Sequence, residues 1–128
     1  MIDVSKLMLL KREIESERGP VSLFGLFLRE NSAGYWELLI AAPWASSQNW
    51  DDLTYLSQKV TARLKKSEMM VLSRIEIIDD ENPWLDEALR TLDVDDHLTM
   101  VRNVDLFGHE MKQAYVVQAK RLPKLAAK

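Results

Sequence analysis

The amino-acid sequence predicts an α+β fold: a single domain in the order α-β-β-α-β-α-β-β, with a mixed, mostly antiparallel five-stranded sheet packed with three helices. Three observations predict it. Residues 37–42 and 74–78 are strand-like runs, and each leads through a Pro-Trp pair (Pro43-Trp44 and Pro83-Trp84) into a helical pattern. The segment between the runs has the apolar spacing of a long amphipathic helix, so strand, helix and strand form a crossover, expected to be parallel and right-handed. Strand pairs on either side of this unit are separated by short glycine-containing turns at Gly34 and Gly108, which indicate antiparallel hairpins.

The first helix is expected over residues 3–18. Leu7, Leu10 and Ile14 fall on one stripe, and Gly19-Pro20 ends the helix, because glycine suits the left-handed position past the last turn and proline cannot continue the ladder. Residues 21–30 read as a strand with apolar side chains on both faces: Phe24, Leu26 and Leu28 on one, Leu23, Gly25 and Phe27 on the other. Such a strand must be covered twice, by a helix on the second face or by a second copy of the chain. Gly25 in its middle implies a close approach by a neighbour. Residues 35–42 form the hairpin partner.

The second helix is expected from Asn49 to Lys66. Trp50, Leu53, Leu56, Val60 and Leu64 form its stripe, Asp51 and Asp52 sit in the first turn, and Lys59, Arg63, Lys65 and Lys66 lie toward the end, as the helix dipole favours. A third strand covers residues 71–79. Asn82 as cap and Pro83 as first residue open a third helix that ends near Leu92. Asp93 to Asp96 reads as an acidic loop, 97–104 as a fourth strand, 105–110 as a turn and 111–120 as a fifth strand around Tyr115-Val116-Val117. The domain is placed at residues 1–120, and residues 121–128 are expected to be a flexible basic tail.

Composition narrows the function. A chain of 128 residues, 47% hydrophobic and 29% charged, is long enough to bury about 70% of its unfolded surface and needs no disulfide, metal or cofactor to fold. It contains no cysteine, which excludes thiol chemistry and thiolate metal sites and fits a reducing cytoplasm. A net charge of −3 argues against a dedicated nucleic-acid binder. No apolar run approaches the roughly 18 residues of a membrane span, so the protein is expected to be cytoplasmic, with no membrane contact.

Catalytic motifs are scarce. There is no phosphate loop, no Gly-x-Ser-x-Gly turn and no HExxH spacing. Asp79, Asp80 and Glu81 follow the third strand, where ligands gather in sheets with crossovers, and His97 has acidic neighbours; these four would serve a metal-assisted hydrolase. The same acids are explained by a helix entrance. Glu13, Glu17, Glu37 and Glu76 are arranged by element as in metal-dependent nucleases, but no Glu-x-Lys or Asp-x-Lys triplet accompanies them on a strand, and Arg74 beside Glu76 reads as part of a cross-strand ion pair.

The apolar surplus points elsewhere. Trp44 and Trp84 stand at element junctions, Phe107 lies in a turn, and Phe27 lies on the second face of the first strand. A tryptophan in such a place is either a plug over the end of a core or an anchor of a protein interface. The sequence therefore indicates a non-enzymatic interaction or regulatory protein, homodimeric or bound to another protein, without metal or cofactor. The metal-assisted hydrolase is the alternative.

Overall fold

The computed structural model describes residues 1–123. The chain runs α1 (Ser5–Arg18), β1 (Leu23–Arg29), β2 (Trp36–Ala41), α2 (Trp50–Arg63), α3 (Lys66–Met69), β3 (Leu72–Ile77), α4 (Leu85–Leu92), β4 (Val94–Leu106) and β5 (His109–Ala119). The five strands form one mixed sheet in the order β3-β2-β1-β5-β4. Only β2 and β3 are parallel, joined across α2; the other three pairings are antiparallel. The predicted α+β fold and order are thus present, with one short helix added.

Helices cover the sheet from both sides. Leu7, Leu10 and Ile14 of α1 and Leu56 and Val60 of α2 pack on Phe24, Leu26, Leu38 and Ile40. On the opposite face Leu85, Ala88, Leu89 and Leu92 of α4 pack with Leu23, Phe27, Leu39, Ala41 and Val116. The two-sided apolar pattern of β1 is satisfied within one chain, because α4 takes the face that a second copy would otherwise have had to cover. β1 sits centrally, between β2 and β5, and residues 23–28 are all buried.

Gly25 has the close neighbour its position implied. A Cβ there would lie 2.8 Å from the Tyr115 carbonyl oxygen and 3.1 Å from the Val116 Cα, beside the irregularity where β1 meets β5. Only a residue without a side chain lets the strands approach so closely.

Several boundaries differ from the sequence expectation. The second helix stops at Arg63, Leu64 turns extended, and α3 follows. The buried Glu68 side chain drives the break: it accepts hydrogen bonds from the Lys65 N–H (2.7 Å), the Asp3 N–H (2.7 Å) and Lys6 Nζ (2.5 Å), drawing this segment onto the start of α1. The helix expected from Asn82 starts at Leu85 instead. Asn82 still organises it, since its Oδ1 accepts from the Trp84 N–H at 2.8 Å. The acidic loop at residues 93–96 does not form. Asp93 closes α4 in the left-handed region, and β4 begins at once, with Val94 opposite Ala119 and Asp95 opposite Gln118. The turn into β5 needs only Phe107 and Gly108, both with positive φ (55° and 76°), the backbone that two-residue hairpins require.

Candidate functional site

Strand register gathers four connections at one end of the sheet. Leu23 lies between Ala41 and Ala119, so the start of β1, the end of β2 and the end of β5 are neighbours. Backbone hydrogen bonds fix them: the Ser22 N–H donates to the Ala41 carbonyl (2.8 Å) and the Lys120 N–H to the Ser22 carbonyl (2.9 Å). Between these segments and the N-terminal turn of α4 lies a groove of about 1100 Å³, lined by residues 18–20, Ser22, Pro43, Trp44, Asp80, Asp86 and residues 121–123.

One wall is aromatic and fixed. The Trp44 indole N–H donates to the Gly19 carbonyl (3.0 Å) and to that of Pro20 (3.2 Å). Gly19 has φ 112°, a conformation that residues with a side chain rarely adopt, so glycine is suited here by its backbone. Behind Trp44 stands Tyr55, edge to face at 6.3 Å, with the Arg18 guanidinium 4.0 Å over its ring. The Tyr55 hydroxyl donates to Glu17 at 2.6 Å. Burial, then this carboxylate, raises the phenol pKa above its ordinary value, so the hydroxyl stays protonated.

The other wall is an ion cluster. Arg121 donates from Nε to Asp86 (3.0 Å), from Nη1 to Asp80 (2.8 Å), and from Nη2 again to Asp86. The hydrogen bond to Arg121 holds the Asp86 carboxyl below its usual range, and Asp86 in turn raises the guanidinium. Leu122 and Pro123 follow along the rim. Of the basic tail expected at residues 121–128, residues 124–128 lie outside the described residues.

The acidic residues and histidine proposed for metal-assisted hydrolysis take separate partners. Asp79 accepts from the Ser47 N–H (2.8 Å) and its hydroxyl, which lower its pKa. Asp80 binds Arg121, and Glu81 is exposed. His97 is exposed in the irregular part of β4, its Nδ1 3.0 Å from the Asp95 carbonyl. Among the described residues no group of three or more Asp, Glu or His side chains is placed to hold a metal ion. Glu13 and Glu17 face Lys59 and Arg63 of α2. Glu37 joins Arg29 of β1 and Arg74 of β3, each at 3.2 Å, and Arg74 reaches Glu76 at 3.1 Å: the cross-strand pairing that the sequence indicated.

Of the four aromatic anchors, Trp44 builds the groove. Trp84 is half exposed at 49%, with its ring against the hairpin tip at Gly108. Phe107 packs partly on the second core and, with Trp84, Glu37 and His109, borders a hollow of about 130 Å³. Phe27 is fully buried and is available to no partner. The sequence offers Arg121 only as part of a basic tail, and marks neither Ser22 nor Tyr55 as a groove residue. Their signal is non-local: Ser22 and Arg121 come together only once β5 has returned beside β1, and Tyr55 meets Trp44 and Glu17 only once α2 packs on α1.

Among the described residues no helix is long and apolar enough to cross a membrane. Comparison of the chain with protein-family models, with curated proteins and with solved structures finds no match.

Proposed function

We propose that this chain is a non-enzymatic interaction protein of the cytoplasm, which holds an extended, aliphatic- or proline-containing stretch of another polypeptide in the groove beside Trp44. The observation that carries this reading is the fixed aromatic wall. The Trp44 N–H is already satisfied by Gly19 and Pro20, so the ring is positioned before anything binds. A wall set in advance loses little freedom on association. Grooves lined by aromatic and proline side chains suit extended backbones, whose own freedom is small. The charged groups at the rim are spent on one another: Arg121 on Asp80 and Asp86, Arg18 on Asp52. This favours holding a ligand over breaking a bond. Absence of cysteine fits the cytoplasmic assignment.

The test is selection from a random peptide library, followed by titration of the selected peptides into isotopically labelled protein. Amide shifts should concentrate at Gly19, Ser22 and Leu122, and Leu122→Glu should abolish binding while leaving the melting temperature unchanged. Selected peptides that bind Leu122→Glu as well as the natural chain, or that shift amides elsewhere, would sink the reading.

A further inference from the structure

The two edges of the sheet are built differently. On the β4 edge the pairing with β5 is interrupted between Asp95 and Thr99, Asp96 and Asn103 adopt positive φ, and Asp95, Asp96, His97, Arg102 and Asp105 line the strand. Irregularity and charge of this kind prevent another strand from adding. The β3 edge has one irregularity, where Ser73 is skipped between Leu72 and Arg74, and its charges Arg74 and Glu76 are of opposite sign on one face. From Arg74 to Ile77 it runs in regular register with β2, without bulge, proline or lysine.

Its hydrogen-bonding direction follows from the parallel ladder. The Ile78 N–H donates to the Ile40 carbonyl at 2.8 Å, so residues 74, 76 and 78 face β2. Beyond the irregularity at Ser73, Ile75 and Ile77 therefore direct their N–H and C=O groups away from the sheet. Along this edge lies an open hollow of about 280 Å³, bordered by Leu53, Ile75, Ile77 and Asn82.

We infer that β3 is a self-pairing edge: two copies of this chain join antiparallel through β3, on a two-fold axis at Ile75, to make one continuous sheet. Three features agree on that register. A two-fold axis at Ile75 sets Ile75 against itself, so its outward-facing N–H and C=O meet those of the second copy, as a hydrogen-bonded pairing demands. The same axis sets Arg74 opposite Glu76 and Glu76 opposite Arg74, on the face where opposed charges attract. It also extends a row of alternating sign that already crosses three strands, Arg29 to Glu37 to Arg74. The contact is isologous, so it closes as a dimer and does not propagate. It goes beyond the groove reading and shares no side chain with the Trp44 wall, so either can fail alone.

Charge exchange tests it by sedimentation over a concentration series. The natural chain is expected to dimerise. Glu76→Arg alone sets Arg against Arg, and Arg74→Glu alone sets Glu against Glu, so each variant should self-associate about tenfold more weakly or worse. An equimolar mixture restores both opposed pairs and should dimerise again. Because Arg74→Glu also meets Glu37 within its own chain, a second measurement stands beside it. Ile75→Cys, in a chain otherwise free of cysteine, should form a disulfide-linked dimer on oxidation, since paired Cα atoms there lie about 5.5 Å apart. Ser57→Cys on the exposed side of α2 should not. A natural chain that is monomeric at every concentration, single variants that dimerise as it does, or an Ile75→Cys chain that links no better than Ser57→Cys overturns the pairing.

Discussion

Lys11 Nζ lies 2.8 Å from the Asp96 carboxylate, joining the middle of α1 to the irregular segment of β4. Lys11 is buried, with Glu15 as its second partner at 3.3 Å, whereas Asp96 is open to solvent on one side and has its carboxyl lowered by the lysine. Removing one member of such a pair leaves a buried ammonium short of counter-charge, while replacing the lysine by an apolar side chain of similar length does not. Asp96→Asn, which tolerates the same positive φ, should therefore destabilise the protein more than Lys11→Met does. Urea denaturation of both variants checks the order, and the reverse order would contradict this account of the pair.

Glu68 gives a pH dependence with a definite sign. Its hydrogen bond from Lys6, followed by those from the Asp3 and Lys65 amides, lowers its pKa from 4.5 to about 2. The folded value is below the unfolded one, so the ionised form stabilises the fold. That contribution is complete above pH 4.5 and disappears as the pH falls toward about 2. Glu68→Gln should lower stability at neutral pH and flatten the acid limb over this interval. Equal slopes for the two proteins, in urea midpoints measured across it, would contradict the assignment.

The space at Gly25 is too small for a methyl group. Gly25→Ala must push back either the Tyr115 carbonyl or the Val116 backbone. Because backbone cannot swing aside as a side-chain tip does, the expected loss is roughly 1–3 kcal/mol. Chemical denaturation measures it directly, and an unchanged midpoint would mean that β1 and β5 separate without cost.

Helix α4 is short, yet it covers the second face of the sheet, with Leu85 fully buried. Leu85→Ala should cost about 2–5 kcal/mol, the range for emptying a leucine site that cannot collapse. It should also raise amide exchange in the strands beneath. A small loss with unchanged exchange would show that this helix is a loose cover.

The residues most legible in sequence were those whose partners are near in the chain or whose pattern is periodic. The α2 stripe and the acids of its first turn identify that helix, and Asn49 caps it as Asn side chains do, accepting from the Asp51 and Asp52 amides. The apolar residues on both sides of β1 stated that two layers were needed, although not that α4 would be one of them. What stayed hidden depended on distant partners. Glu68 reads as one more surface acid until Asp3 and Lys6 are beside it. Val94 and Asp95 read as loop until Ala119 and Gln118 are found opposite. The groove was half visible: Gly19-Pro20 and Pro43-Trp44 were recognised as punctuation, but their meeting, and the return of Arg121 to them, follow from strand order and not from any local spacing.

The placing of β5 affects how the molecule is made. It is made after the other four strands, yet it sits between β1 and β4 and bonds to both. Until it emerges, the nascent polypeptide holds two unfinished pieces whose inner borders stay unzipped. Closure then joins β1 to β4 in one late event, so a product cut short before Met111 would have no bridge between the pieces and would be handed to proteases or chaperones.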